Sequence, residues 1–211
     1  MFYTIKIPAI IKLLFPSLVY NINNSSNSVY LTFDDGPHPA TTPEILKILD
    51  KYKAKATFFC VGNNVLKYPG LFSMIIQKGH SVGNHTFNHL DFWKNNFKNY
   101  YDDIKKANNY IDSGLFRPPY GRLLPWYIKN IGEKYKIIMW DVLSGDFDPD
   151  TTVEKCYDNV VKNTNPGSII VFHDSIKTKE KVLQVLPVVL DELKNRGFNF
   201  KKIKEKNEYF E

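Results

Sequence analysis

The sequence predicts an α/β fold in which about seven parallel strands form a (β/α) barrel within a single domain. From residue 29 onward, short apolar stretches alternate with helical stretches about seven times. Such alternation is typical of parallel sheets, and this degree of repetition favours a barrel. The 211 residues are enough for one domain with a sizeable core. The amino-acid composition does not change after residue 29 in a way that would indicate a second domain.

The strands are expected where β-favouring residues form short apolar runs bounded by turn residues. These runs lie at residues 28–33, 55–62, 80–85, 114–121, 136–142, 167–174 and 198–203. The fourth run includes a turn at its end.

Helices are expected between the strands, at residues 41–52, 63–79, 95–112, 124–135, 151–163 and 186–197. The first is the clearest, because Thr42 can cap it and Pro43 suits its first position. Its apolar residues Ile45, Leu46 and Leu49 recur at helical spacing. The second is broken at its Pro-Gly pair, and the last is expected to have a proline near its start.

Residues 1–28 are predicted to form an amphipathic N-terminal segment that packs on the domain, ending in a polar linker at 21–28. Lys6, Pro8 and Lys12 interrupt its apolar character. It is too short and too broken for a membrane span, and no small-residue cleavage site follows it. Contact with a membrane surface is the alternative interpretation. A cytoplasmic location is therefore the default expectation, and action at the cell envelope stays open.

The net charge of +6 suggests affinity for anionic surfaces, although lysines scattered over solvated helices account for it as well. No nucleic-acid-binding motif lies among the lysines, so no nucleic-acid partner is expected. The two cysteines, Cys60 and Cys156, have no CxxC partners and give no support for a disulfide framework or a zinc ribbon. A monomer is expected.

Nearly every predicted strand ends in an ionisable or metal-ligating residue. In β/α barrels, reactive groups collect at the carboxyl ends of the strands. Five such ends occurring together therefore indicate a site rather than chance. Its candidate residues are Asp34, Asp35, His85, His89, Arg117, Tyr120, Asp146, His173 and Asp174.

The stretch "HTFNH" spaces His85 and His89 four residues apart, which places both imidazoles on one face if the backbone is helical there. Two imidazoles and one carboxylate make an open metal site that suits zinc. No glutamate lies between the histidines, so the metalloprotease motif HExxH is excluded.

Of the adjacent Asp34 and Asp35, one can complete the metal triad while the other accepts a proton from water. The alternative is that Asp-Asp-Gly-Pro only forms a turn.

Five motifs together carry a resemblance: "TFDDGP", "HTFNH", "RPPYG", "WDVLSGDF" and "IIVFHD", in this order. They resemble the motifs of the polysaccharide deacetylase family, also called NodB-homology domains or family 4 carbohydrate esterases. The resemblance spans residues 29 to about 203, and we expect the domain to be 29–211. It implies a distorted (β/α) barrel with fewer strands than a TIM barrel.

The resemblance implies a role for each matching residue. Asp34 corresponds to the catalytic base, and Arg117 to the arginine that orients it. Asp35, His85 and His89 correspond to the ligands of one divalent metal ion, most commonly zinc.

The remaining roles concern the acid and the walls of the site. His173 corresponds to the general acid, and Asp146 to the aspartate that tunes it. Tyr120 stands where the family uses a backbone N–H as part of the oxyanion hole. Val171 stands where a leucine usually lines the acetyl-methyl pocket. Phe147 stands where the family has tryptophan.

One further departure is Leu143, which replaces an aspartate of the family pattern. The implied activity is the removal of N-acetyl groups from N-acetylglucosamine residues of an acetylated glycan, either peptidoglycan or chito-oligosaccharide. Two alternatives stay open: an O-acetyl esterase acting on acetylated xylan, and a non-catalytic carbohydrate-binding relative.

Residues outside the motifs have simpler interpretations. His80 is expected to be structural, and Asp174 to hold backbone at a strand end. Trp93 and Trp126 can stack on sugar rings or pack in the core, whereas Trp140 is expected in the core because it lies in an apolar strand.

Overall fold

Strands and helices alternate along the chain in a computed structural model that describes residues 3–22 and 26–205. The centre of the predicted linker, residues 23–25, and the end of the predicted domain, residues 206–211, lie outside the described residues. Within those ranges, the predicted α/β class is confirmed.

Eight strands within the described residues form one curled sheet in which every strand pair is parallel. They are β1 (Ser28–Asp34), β2 (Ala56–Cys60), β3 (Ser81–Asn84), β4 (Leu115–Phe116), β5 (Lys136–Ile137), β6 (Val142–Leu143), β7 (Ile169–His173) and β8 (Asn199–Phe200). The order across the sheet is β5-β4-β3-β2-β1-β7-β6, and β8 pairs with the first residues of β1.

The α-helices of the described residues are α1 (Ala9–Leu14), α2 (Thr42–Lys51), α3 (Gly62–Lys67), α4 (Pro69–Gln77), α5 (Phe97–Asn108), α6 (Pro125–Gly132), α7 (Val153–Asn163) and α8 (Lys179–Asn195). Helix α1 precedes β1, and the others lie between successive strands. Two short 3-10 helices, Phe92–Lys94 and Pro119–Gly121, follow β3 and β4.

The predicted strand at residues 136–142 is two short strands in the structure. β5 pairs with β4 and β6 pairs with β7, at opposite ends of the sheet order. Between them, the Ile138 N–H donates to the Phe116 carbonyl (2.8 Å) and the Asp141 N–H donates to the Ile169 carbonyl (2.9 Å). One bent stretch of chain thus joins the two edges of the sheet, which curls into a half-barrel consistent with the predicted distorted barrel.

Residues 3–22 pair with the same bent stretch and with the start of β7. Isolated bridges join Lys6 to Val142, Val19 to Ile138 and Asn21 to Ser168. The ammonium groups of Lys6 and Lys12 lie 2.6 and 2.5 Å from the buried carboxylate of Asp141. These backbone bridges and ion pairs hold the N-terminal segment against the barrel.

Helix α1 turns its apolar side chains outward. Ile10, Leu13 and Leu14 are 57%, 75% and 61% exposed, whereas Lys12 reaches inward to Asp141. Helix α1 therefore contacts the barrel through Lys12 and leaves apolar surface on the outside. None of the described helices has the length and apolar character needed to cross a bilayer.

The alternation of side chains along β1 and β7 decides which residues enter the barrel. Val29, Leu31 and Phe33 pack with Ile170 and Phe172 in the layer between sheet and helices. Tyr30 and Ile169 belong to a separate interior cluster. Because the side chains of a strand alternate between its faces, Asp34 and His173 fall on the same face as Tyr30 and Ile169. The two ionisable residues therefore stand at the mouth of the barrel.

Two helical details differ from the sequence prediction. Helix α8 begins at Lys179, so Pro187 lies inside it rather than near its start. Buried Val182 and Val185 extend the apolar period upstream of the proline, and this packing offsets the ~3 kcal/mol that an interior proline costs. Helix α2 begins at Thr42 and is preceded by Thr41 at the N-cap position.

Candidate active site

Asp34 ends β1 beside the buried guanidinium of Arg117. Arg117 Nη1 donates to Asp34 Oδ1 and to Thr32 Oγ1, each at 2.7 Å. The other guanidinium nitrogens donate to the Ile138 and Met139 carbonyls, so the arginine is fixed on every side. Since Arg117 is fully buried and Asp34 is 4% exposed, this ion pair is shielded from solvent. The arrangement holds the Asp34 carboxylate in one orientation.

Asp35, His85 and His89 direct one donor atom each toward a common point. These atoms all lie within 4.8 Å of one another. Asp35 Oδ1 is 3.1 Å from His89 Nε2 and 3.7 Å from His85 Nε2, yet it is buried and has no well-directed hydrogen bond from the described residues. A buried carboxylate oxygen that faces two imidazole nitrogens in this way fits a metal site.

The backbone around the histidines is not helical, which is the condition that the sequence prediction left open. Thr86 and His89 have φ values of 63° and 55°, in the left-handed region. Asn84 Oδ1 accepts from the Thr86 N–H, and Thr86 Oγ1 accepts from the Leu90 N–H, so side chains stabilise this turn. The two imidazoles meet through a tight loop after β3, not through one face of a helix.

The protonation states of these groups suit metal binding. Burial lowers the pKa of His85 to about 4, so its imidazole is neutral at pH 7. His85 Nδ1 lies 2.8 Å from the Arg117 carbonyl, to which it can donate, leaving Nε2 free toward Asp35. Burial raises the pKa of Asp35, but the His89 and His173 imidazoles outweigh it and hold that pKa well below its usual range. The set therefore offers a neutral His85 imidazole and an anionic Asp35 carboxylate.

His173 ends β7 and is held by Asp146. His173 Nδ1 lies 2.8 Å from Asp146 Oδ1, and the His173 backbone N–H donates to Asp146 Oδ2 at 2.8 Å. Burial lowers the pKa of His173, but Asp146 reverses this and raises the pKa to about 9. The imidazole is thus a cation at neutral pH with Nε2 available to give a proton.

The walls beside His173 are apolar. Phe147 packs edge-on against the His173 ring at 5.2 Å between centroids, and its other neighbour is Tyr3 at 5.0 Å. Val171 is buried on the same face of β7 as His173. Leu143, which replaces an aspartate of the family pattern, is buried and pairs with Val171.

Tyr120 follows β4 in a left-handed conformation, with φ of 61°. Its ring packs edge-on against His89 at 4.8 Å. No hydrogen bond joins the Tyr120 N–H to a described residue outside its own 3-10 helix. The structure thus brings Tyr120 to the site together with the other residues that the motifs singled out.

Two supporting residues were not identified in the sequence. The Thr32 hydroxyl accepts a hydrogen bond from Arg117 Nη1 and donates to the Ile170 carbonyl. The Ser144 hydroxyl donates to Asp146 Oδ1 at 3.0 Å. Each stands two positions before the aspartate that it supports or flanks, and within β1 this spacing places Thr32 and Asp34 on one strand face. That spacing is the signal that could have identified them.

Asp174 does more than hold backbone. Its carboxylate accepts from the hydroxyls of Thr41 and Thr42 at the start of α2, while its N–H donates to the Asp34 carbonyl. Burial raises the pKa of Asp174 to about 7. This residue therefore ties helix α2 to the strand end that carries the aspartate pair.

His80 lies outside the site, as expected for a structural residue. It is buried, its Nδ1 accepts from the Ala56 N–H at 3.1 Å, and burial lowers its pKa to about 4. It anchors the start of β2, at the opposite end of the strand from the metal donors.

Known proteins resemble this chain along most of its length. A family model described as "Polysaccharide deacetylase" matches residues 21–137. A peptidoglycan-N-acetylglucosamine deacetylase of Bacillus cereus is 33% identical over 198 residues, which cover 89% of this chain and 92% of that protein. A chitooligosaccharide deacetylase of Azorhizobium caulinodans is 32% identical, with 84% and 93% covered.

Solved structures give the same result. The crystal structure of a peptidoglycan N-acetylglucosamine deacetylase matches with a TM-score of 0.84 and 30% sequence identity. The match covers 93% of this chain and 95% of the other.

Proposed function

The chain belongs to the polysaccharide deacetylase family, and we propose that it removes N-acetyl groups from N-acetylglucosamine residues of peptidoglycan or chito-oligosaccharide. One observation carries the proposal. The fixed Asp34 carboxylate, the donor set of Asp35, His85 and His89, and the His173 cation all converge at the mouth of one barrel. Hydrolysis of an amide needs a base, an electrophile and an acid held together in this way.

The cofactor of this site is one divalent metal ion, zinc, held by Asp35, His85 and His89. Two imidazoles and one carboxylate suit zinc and leave a position open for water and substrate. When bound, the ion supplies Lewis acidity, which lowers the pKa of water and polarises the acetyl carbonyl.

Asp34 is the general base. It accepts a proton from the attacking water, while the Arg117 guanidinium keeps its second oxygen occupied and its orientation fixed. A carboxylate held by a buried arginine cannot rotate away from the reacting centre, so the base meets the water in one geometry.

Tyr120 and Val171 position the acetyl group. The Tyr120 N–H donates to the oxygen that becomes negatively charged, a contribution of about 3 kcal/mol for one such donor. Val171 supplies apolar surface for the methyl group, and Phe147 closes the wall next to His173.

His173 is the general acid. An amide nitrogen leaves as an amine only when it receives a proton, and the His173 imidazolium holds one at neutral pH. Asp146 orients the ring through Nδ1 and stabilises its positive charge. Since all of these residues come from one chain, a monomer suffices as the active unit.

Acetate release from a panel of substrates tests this proposal. Purified protein loaded with zinc is given N-acetylated chito-oligosaccharide, peptidoglycan and O-acetylated xylan. We expect acetate from one of the N-acetylated glycans, with an equal amount of free amine. Acetate from xylan alone would establish the O-acetyl esterase instead, and binding of glycan without any acetate would establish a non-catalytic carbohydrate-binding protein.

A further inference from the structure

An unbroken row of side chains leads from the metal donors to the protein surface. The Tyr120 ring lies 4.8 Å from the His89 ring, measured between centroids. The Arg122 guanidinium carbon lies 5.4 Å from the Tyr120 ring centroid and 4.6 Å from the Trp93 ring centroid. The row therefore connects the centre of the candidate site to an indole on the rim.

Trp93 is exposed but held in place. Trp93 is 66% exposed, although tryptophan is among the residues that are usually well buried. Its backbone N–H donates to Asp91 Oδ1 at 3.0 Å, and Asp91 also forms an ion pair with Arg122. Asp91 itself is buried at 9% exposure. One buried carboxylate thus fixes both the short helix that carries Trp93 and the guanidinium that stacks on it.

The arrangement leaves indole surface of Trp93 and N–H donors of Arg122 available to a ligand. Arg122 contacts one side of the indole, and the exposure of Trp93 leaves other ring surface open to solvent. A guanidinium has five N–H donors, of which one is directed to Asp91, and the Arg122 side chain is 29% exposed. None of the catalytic roles assigned above uses either residue.

A sugar ring has the matching chemistry. One side of a pyranose presents C–H groups that pack on an aromatic face, and its rim presents hydroxyl and acetamido oxygens that accept hydrogen bonds. We propose that Trp93 and Arg122 form a binding subsite for a sugar ring next to the one that is deacetylated. The ring stacks on the indole, and its oxygens accept hydrogen bonds from Arg122. This inference rests on the proposed function, since it assigns a second subsite for the same glycan.

Trp126 provides a matched control. It is 64% exposed, close to the value for Trp93, and contacts Tyr127 at the start of α6. It is not a member of the row that runs through Arg122 and Tyr120. Replacing Trp126 therefore removes an equal exposed indole without removing the proposed subsite.

The first test compares substrates of different length. Michaelis parameters are measured for Trp93→Ala, Trp93→Phe and Trp126→Ala on N-acetylated chito-oligosaccharides from two to six sugars and on an aryl acetate. We expect Trp93→Ala to raise KM for the longer oligosaccharides about tenfold with little change in kcat, and to leave the aryl acetate unaffected. Trp93→Phe should recover most of the loss, and Trp126→Ala should match the unmodified protein.

A binding measurement separates failure of this inference from failure of the proposed reaction. Calorimetric titration with N-acetylated chitohexaose is carried out on the unmodified protein and on Trp93→Ala. Weaker binding by Trp93→Ala supports the subsite even if no acetate is released. Equal binding by both proteins, or an equal loss of activity on oligosaccharide and aryl acetate, would overturn it. Absence of glycan binding by the unmodified protein would overturn it as well.

Discussion

Asp34 and His173 are paired residues on the adjacent parallel strands β1 and β7, at the same level of the barrel. Each is then held by a separate partner, Asp34 by Arg117 and His173 by Asp146. Arg117 and Asp146 thus fix the orientation of the two side chains independently. In the proposed reaction this lets Asp34 accept a proton while His173 gives one.

Removing the two imidazoles should remove the metal. We expect the double variant His85→Ala/His89→Ala to contain less than about a tenth of the zinc in the unmodified protein, because one carboxylate remains from a set of three ligands. Elemental analysis of purified protein measures this, with circular dichroism to verify the fold. His38→Ala is the control, since His38 is outside the donor set and should keep its metal. Unchanged metal content in the double variant would contradict the assignment.

The two adjacent aspartates should behave differently. Asp34→Asn should lower turnover by about 10²–10⁴ while metal content stays near normal, because Asp34 is held by Arg117 and lies outside the donor set. Asp35→Asn should lose the metal. Parallel measurements of zinc content and acetate release distinguish the two. The reverse pattern would show that their roles are exchanged.

Arg117 should contribute to stability as well as to turnover. It is fully buried, pairs with Asp34 and donates to two backbone carbonyls. Removing one partner of a buried ion pair leaves the other charge unpaired and costs about 3–5 kcal/mol. Urea unfolding of Arg117→Ala should therefore show a loss of this size. The exposed Arg196→Ala serves for comparison, and a loss below about 1 kcal/mol for Arg117→Ala would argue against the buried pair.

Asp146 should control the alkaline limit of activity. Asp146 raises the pKa of His173 from the ordinary histidine value of 6.5 to about 9. The imidazole therefore stays protonated above pH 6.5 and loses its proton near pH 9. A cation bound at Asp35 acts in the opposite direction, and the prediction therefore concerns the difference between variants. Asp146→Asn should move the alkaline limb of the pH–rate profile to lower pH by roughly one unit or more.

The control for this shift is Asp150→Asn, an exposed aspartate of the same loop, which should leave the limb in place. His173→Ala should cost about 10²–10⁴ in turnover on an amide, with normal metal content. The loss should be smaller on an aryl acetate, whose leaving group needs no proton. Equal losses on both substrates would show that His173 is not the acid.

The fold was largely predictable because the signals are local. Apolar runs such as "SVYLTF" and helix signals such as Thr-Pro at residues 42–43 depend on neighbouring residues, and the structure has elements at these places. The split of residues 136–142 was not predictable, since a continuous apolar run contains no sign that its two ends pair with opposite edges of the sheet. Nor was the start of α8 at Lys179, because Pro187 resembles a helix start when read alone.

The site was predictable to the extent that it follows strand ends and motifs. Asp34 and His173 could be placed at the barrel mouth from the alternation of the strands. The left-handed turn that brings His85 and His89 together could not be predicted, because it depends on backbone N–H groups that donate to the side chains of Asn84 and Thr86. The packing of Tyr3 against Phe147 is a contact between distant parts of the chain, which sequence spacing does not reveal.

The most direct test of the proposed activity is the ratio of acetate to free amine formed from one N-acetylated chito-oligosaccharide, measured before chelation, after chelation and after zinc is restored. We expect a ratio of one for the unmodified protein, loss of both products on chelation, recovery with zinc, and product formation lowered by about 10²–10⁴ in Asp34→Asn. Equal product formation in the chelated protein or in Asp34→Asn would contradict a metal-assisted deacetylation in which Asp34 is the base.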